Sequence, residues 1–316
     1  MELSIVIPLL NEAESLIELH AWIDREIPKH FSSYELIFVD DGSTDDSWSL
    51  IADLARENKA VKGIKFERNF GKSQALHAGF DLAQGTFVAT LDADLQDSPE
   101  ELGPMKTLLL EKDLDLVSGW KRKRYDAVLA KNIPSKVFNW AARKVSKIKL
   151  RDFNCGIKIY RKEVVKSIEV YGEMHRYIPV LAAHNGFKKI GEHVVQHQAR
   201  KYGTTKFGND RFIKGFLDLL TLWFLHAFGK RPMYFFGALG MVVFFTAFVF
   251  MGYLGIDKLF IHQSSRLITQ RPEFYIGLTS MILGAQLFIA GFIGELILST
   301  QQHQNRYKIS QTTDHL

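Results

Sequence analysis

The pattern of apolar and polar positions changes character along this chain. Short apolar runs at 3–9, 35–40, 61–66, 86–91 and 115–118, several rich in β-branched residues, predict strands buried on both faces. Between them, residues 15–27, 45–58, 72–83 and 99–110 repeat apolar side chains at spacings of three and four, which predicts helices. Ser98-Pro99-Glu100-Glu101 supplies a cap, a first-turn proline and early acids for the last of these. Alternating strands and helices predict an α/β fold with a mostly parallel sheet covered on both faces and a binding site in the loops that follow the strands. From 127 to 198 the pattern is less regular, with a helix near 135–145 and strands near 156–160 and 188–194.

Beyond that region the apolar runs lengthen. Residues 211–228 mix eleven large apolar side chains with Lys214 and Asp218, which suits a helix lying in a membrane interface. Residues 233–254 carry no charge, and 274–298 carry only Glu295, near the end of the run. At about 1.5 Å per residue, each covers a hydrocarbon core of about 30 Å. The expected organisation is a domain over 1–210, a juxtamembrane amphipathic helix over 211–231, two spans within 232–300 and a polar tail over 301–316. Lys and Arg crowd before the first span and follow the second, which predicts both termini and the first domain on the cytoplasmic side and the 255–273 loop outside. The first apolar run lacks a basic leader and is cut short by Asn11 and Glu12, unlike a secretory signal, so the first domain is expected to stay where it is made.

Composition narrows the chemistry. The 316 residues are 47% hydrophobic with a formal net charge of +5, and basic clusters at 121–124, 143–151, 200–214 and 230–231 suit phosphate ligands or anionic headgroups. Neither zinc-finger spacing, an aromatic RNA-binding signature nor a continuous basic helix is present, so no nucleic-acid partner is expected. Cys155 is the single cysteine, which excludes an intrachain disulfide and a cysteine-built metal site.

The strongest local motif is Asp92-Ala93-Asp94-Leu95-Gln96-Asp97, directly after a predicted strand. Such a pair of carboxylates, with an amide oxygen two residues on, can face one divalent cation and leave positions open for substrate phosphates. Taken alone, an acidic pair in a loop is more often a turn or a helix cap. Its neighbours change the picture: Ile7-Pro8-Leu9-Leu10-Asn11-Glu12 and Val39-Asp40-Asp41-Gly42-Ser43-Thr44-Asp45 end two other strands at the same sheet edge. Three acidic loops around one crevice suit a nucleotide diphosphate with its own metal. Neither GxGxxG nor GxxxxGK[ST] occurs, so metal and cationic side chains must neutralise the phosphates. His77 reads as a packed residue, and His193 with His197 as an unlikely metal pair.

This order of motifs resembles the GT-A fold of family 2 glycosyltransferases over residues 1–210. Arg68-Asn69-Phe70-Gly71-Lys72, the 92–97 run with Ser98-Pro99-Glu100 behind it, Asp152-Phe153-Asn154-Cys155-Gly156 and the 200–206 segment are similar to the polyisoprenyl-phosphate glycosyltransferases, as is the pair of C-terminal spans. The resemblance implies that Pro8, Leu10, Glu12 and Asp40 hold the nucleoside, and that Asp92, Ala93, Asp94 and Gln96 line the metal and diphosphate site. It places Mg2+ or Mn2+ on Asp92, Asp94 and Gln96, and Arg200 and Lys206 on donor or acceptor phosphate. Either Lys121 or Arg122 stands for the family arginine after the fifth strand. Lys131 and Ser135 match the spacing of its acceptor-phosphate pair, with lysine in place of arginine. The implied acceptor is undecaprenyl phosphate, the implied location the inner membrane, and a homo-oligomer is compatible with the two spans. A lipid monophosphate is already largely anionic at neutral pH, so it can attack the sugar without a strong base, which predicts inversion in one displacement. A polysaccharide-extending transferase and a non-catalytic nucleotide-sugar sensor are the rival readings.

Overall fold

The computed structural model describes residues 1–122, 143, 148–170, 172, 174–196, 198, 201, 232–261, 267–300 and 309–312. The chain divides into two units, one of Met1–Leu220 with Asn305–Leu316 and one of Thr221–Gln304.

The first unit is built on strands β1 (Leu3–Leu9), β2 (Tyr34–Asp40), β3 (Val61–Phe66), β4 (Phe87–Thr90), β5 (Leu116–Lys121), β6 (Lys158–Arg161), β7 (Ile190–Val195) and β8 (Ile309–Thr312). They form one sheet in the order β7-β5-β6-β4-β1-β2-β3-β8. Pairings β1 with β2, β1 with β4, β2 with β3 and β5 with β7 are parallel, while β6 runs antiparallel between β4 and β5. Every residue of β1 is buried, because helices cover both faces of the central strands and leave no polar side to alternate with. Helix α1 (Ala13–Glu26) turns Leu16, Leu19 and Ile23 into this core, where they join Leu3, Ile5, Leu36 and Phe38. Helices α2 (Ser47–Glu57), α3 (Lys72–Leu82) and α4 (Leu102–Glu111) follow β2, β3 and β4 in turn. Two shorter helices, α5 (Lys162–Ser167) and α6 (Ile178–His184), lie between β6 and β7.

Two expectations shift. The helix expected to start at Pro99 begins with a 3-10 turn over Pro99–Glu101, and α4 proper starts at Leu102. Ser98 Oγ bonds Glu100 Oε2 at 3.1 Å instead of capping a backbone N–H, so the first turn tightens. The segment expected as a polar tail contributes β8, which lies antiparallel to β3 at the sheet edge.

The second unit contains α7 (Pro232–Ile256), prolonged by a π-helical turn over Asp257–Ile261, and α8 (Pro272–Thr300). Both are long and apolar enough to cross a membrane, with mean hydropathies of 2.1 and 1.9 over their apolar stretches. The first helix therefore runs past the expected end at 254, and Arg271 Nη1 meets Asp257 Oδ2 at 2.9 Å beyond its end. The helices touch through glycine: a Cβ at Gly240 would lie 2.6 Å from Gly284 O, and one at Gly284 would lie 2.7 Å from Phe244 N. Glu295 Oε2 accepts a hydrogen bond from Met233 N at 3.4 Å, so this carboxylate meets an otherwise orphaned N–H in the first turn of α7.

Candidate active site at the carboxyl edge of the sheet

Parallel β1, β2 and β4 end at one edge, and the loops leaving them are tied together. Leu9 and Asp40 are register partners at the ends of β1 and β2. Asn11, in the left-handed region at φ 53°, donates its N–H to Ser43 Oγ at 2.8 Å and accepts Thr44 N–H on Oδ1 at 2.8 Å. Glu12 N–H donates to Ser47 Oγ at 3.0 Å, which stitches the start of α1 to the start of α2. Pro8 is buried, while Leu10 and Glu12 are half-buried at this crossing.

Asp40 and Asp41 are adjacent acids with different duties. Asp40 is fully buried; Oδ1 accepts Ser43 N–H at 2.7 Å, and Oδ2 is buried without a hydrogen-bond partner among the described residues. Asp41 accepts Phe70 N–H at 2.7 Å and Gly71 N–H at 2.9 Å, so it clamps the loop that leads into α3. Burial pushes the Asp41 pKa up to about 6 against those two N–H groups, and the Asp40 charge adds to the rise. Gly42 completes the approach: its φ is +77°, and a Cβ there would stand 2.4 Å from the Arg68 carbonyl carbon.

The 92–97 loop leaves β4 beside these loops. Leu95, buried, adopts φ 60°, which folds the segment back between Asp94 and Gln96. Asp94 Oδ1 accepts Gln96 N–H at 3.3 Å. Asp92 Oδ1 holds Lys72 Nζ at 2.6 Å, and a Cβ at Gly156 would lie 2.6 Å from Asp92 Oδ2. Burial would raise the Asp92 pKa, but the Lys72 ammonium, with Lys121 and Lys158 beyond it, holds it down at about 2. Lys121 Nζ pairs with the buried Asp97 Oδ1 at 2.6 Å. Burial works against the charge on Lys121, yet Asp97 outweighs it and raises the Lys121 pKa. Lys158, buried, donates to Cys155 O, and desolvation lowers its pKa.

Two further contacts frame the edge. Gln198 N–H donates to Gln96 O at 3.0 Å, and Lys201 Nζ reaches Glu18 Oε1 and Oε2 at 2.8 Å. These anchored residues flank Arg200 in the chain. Arg200, Lys206, Lys131 and Ser135 themselves lie outside the described residues. Arg122 is described and exposed. His193, read from sequence as lacking an acidic neighbour, has one in Glu101, 3.2 Å away. Lys72, Asp41 and Lys158 received no role from the sequence; Lys72 was visible only as the end of the Arg68-Asn69-Phe70-Gly71-Lys72 motif.

The donor set at 92–96 is oxygen only, which fits a hard divalent cation. Among the described residues no group of three or more His, Cys, Asp or Glu side chains could hold a metal by itself. Asp92, Asp94 and Gln96 offer oxygen donors of the kind such a cation takes.

The description glycosyl transferase family 2 matches residues 4–169 of the chain. The chain belongs to that family. It is 35% identical to a dodecaprenyl-phosphate galacturonate synthase of Rhizobium johnstonii, over 95% of this chain and 88% of that one. It is 33% identical to an undecaprenyl-phosphate 4-deoxy-4-formamido-L-arabinose transferase of Shewanella sediminis, over 93% of this chain and 86% of that one. Among solved structures, glucosyl-3-phosphoglycerate synthase from Mycobacterium tuberculosis, in complex with Mn2+, uridine diphosphate and glucosyl-3-phosphoglycerate, aligns with a TM-score of 0.51 at 20% identity, covering 71% of this chain and 79% of that one. This last likeness is one of fold, and the glycosyltransferase unit here has the GT-A fold.

Proposed function

We propose that this family 2 glycosyltransferase moves a sugar from a nucleotide-diphosphate donor to a polyisoprenyl phosphate, undecaprenyl phosphate in the first instance, with inversion at the anomeric carbon. The relatives' polyprenyl-phosphate acceptors support the lipid side. The observation that carries the donor side is Asp40: a fully buried carboxylate with one oxygen unpartnered among the described residues, at the edge where the 92–97 loop emerges. Such an oxygen costs free energy until a donor meets it, and a nucleoside N–H or ribose hydroxyl is the donor this reading supplies. Pro8, Leu10 and Glu12 line the same nucleoside side.

Asp92, Asp94 and Gln96 would hold Mg2+ or Mn2+, which when bound supplies positive charge to the departing diphosphate. The attacking group is the lipid phosphate. One of its oxygens forms the new bond to the anomeric carbon as the bond from that carbon to the diphosphate breaks, and the electron pair leaves with the nucleoside diphosphate. Chain residues align and neutralise these anions, which divides the work between proximity and electrostatics. Lys121 is assigned to donor phosphate, with Asp97 keeping it charged. Arg200 and Lys206 are assigned to phosphate from the segment after Gln198, and Lys131 and Ser135 to the acceptor, with Arg122 beside them. The catalytic unit is placed at the cytoplasmic face of the inner membrane, with α7 and α8 as spans. Pairing of β8 with β3 supports this topology, because two spans return the chain to the side on which it started.

Detergent-solubilised protein is to be incubated with undecaprenyl phosphate and labelled nucleotide sugars, with Mg2+, Mn2+ or chelator, beside Asp94→Asn. Labelled lipid that needs the metal, reduced about 100-fold or more in the variant, is expected. Nucleotide binding without labelled lipid under any condition would instead support the sensor reading.

A further inference from the structure

The Lys72–Asp92 pair lies where a divalent cation would have to bind. Lys72 opens α3, and the start of that helix is held on two sides. Asp41 takes the N–H groups of Phe70 and Gly71 at 2.7 and 2.9 Å. Ser73, fully buried, accepts His175 N–H on Oγ at 3.0 Å and meets His175 Nδ1 at 3.2 Å. Burial, with Lys72 and Arg176 nearby, holds the His175 pKa well below its usual range, so the ring adds no positive charge here. From this fixed start Lys72 Nζ reaches Asp92 Oδ1 at 2.6 Å, while Asp92 Oδ2 packs toward Gly156. The pair is half-buried, with side chains 38% and 30% exposed, so solvent reaches both partners.

We propose that Lys72 is the resident counter-cation of Asp92 and makes divalent-metal binding at this loop conditional on the nucleotide diphosphate. The inference rests on the donor-site reading above. Without nucleotide, a metal ion must displace an ammonium from Asp92 Oδ1 and then sit beside it, with Lys121 and Lys158 adding their charge to the same carboxylate's surroundings. An arriving diphosphate gives the Lys72 ammonium a new anionic partner and releases Oδ1 to the metal. Metal and nucleotide then raise each other's affinity by one common factor. A lysine that only braced α3 against the end of β4 would behave in the opposite way, since its loss would loosen Asp92 and weaken the metal.

The test is Mn2+ binding to the detergent-solubilised full chain, followed by electron paramagnetic resonance with and without uridine diphosphate, and with guanosine diphosphate as the second nucleotide. Lys72→Gln is expected to bind Mn2+ about tenfold more tightly than the parent in the absence of nucleotide, and the enhancement by nucleotide to shrink by the same factor. Lys72→Met, which keeps the stem and removes the charge, is expected to reproduce that gain, and Lys72→Arg to keep the parental coupling. Unchanged or weaker nucleotide-free binding in both neutral variants, while the parent still takes up Mn2+ with nucleotide, overturns the role of Lys72 and leaves the donor site standing. A parent that takes up Mn2+ under neither condition overturns both.

Discussion

Strand β2 carries a fully buried acid near each end, and the two are treated differently. Glu35, at the amino end, accepts Ser4 Oγ at 2.5 Å and Gln84 N–H at 2.8 Å on one oxygen and pairs with Lys62 Nζ at 3.1 Å through the other. Ser4 Oγ in turn accepts Gly85 N–H at 2.7 Å, and Glu35 Oε2, buried like Asp40 Oδ2 without a hydrogen-bond partner among the described residues, has the Lys62 ammonium as its counter-charge. Asp40, at the carboxyl end, has one oxygen satisfied and one not. Among the described residues the same chemical group is paired with a cation at one end of the strand and not at the other, and that ion pair tells them apart.

The sharpest way to break this comparison is Glu35→Gln. Loss of the charge leaves the Lys62 ammonium, only 12% exposed, without its counterion, and a destabilisation of about 3 kcal/mol is expected. Thermal unfolding measures it, and nucleotide affinity of the folded protein should not move. Next in size is Asp40→Ala: donor affinity, followed by calorimetry, should fall by about 2 kcal/mol with the unfolding temperature held or raised. A large loss of stability with no loss of affinity would reverse the assignment of the two ends. The smallest effect is pH dependence at Asp41. Its pKa is raised from 3.8 to about 6, so between these values the folded chain holds a proton the unfolded chain has released. Stability from this group therefore falls as pH rises across that window, by at most about 1.4 kcal/mol per pH unit, and Asp41→Asn should remove that slope from the unfolding midpoints. Glu35 has the opposite sign: its neighbours outweigh burial and lower its pKa, so its contribution is present above the ordinary carboxylate range and lost on acidification.

Much of this was legible in the residues. The strands of the central sheet declare themselves because runs such as Ile5-Val6-Ile7 and Leu36-Ile37-Phe38-Val39 are apolar on both faces, and the acidic loops follow them directly. What escaped depends on partners distant in sequence. Nothing local says that Lys72 meets Asp92, 20 residues away, since the contact exists only once α3 packs on β1 and β2. Nor do the neighbours Asp40 and Asp41 reveal which takes Ser43 N–H and which clamps Phe70 and Gly71; that is set by the turn at Gly42. Strand β8 was missed because Ile309-Ser310-Gln311-Thr312 lacks an apolar run and becomes a strand only through its pairing with β3. Lys121 and Arg122 are equal candidates in the sequence, and only the fold shows that Lys121 pairs with Asp97.

The glycine contact between α7 and α8 has a consequence for how much of that hairpin the sequence must specify. Where Gly240 faces Gly284, and Gly291 lies with its missing Cβ 3.0 Å from Gly237 N, no larger side chain can be admitted without parting the helices. Side chains turned outward, such as Val242, Phe245, Val249, Ile282 and Ile289, are exposed and need only be apolar. Across a library of random substitutions the hairpin would therefore show a few intolerant letters spaced along one stripe in a background that accepts almost any greasy residue. Its information is concentrated in the residues with no side chain at all.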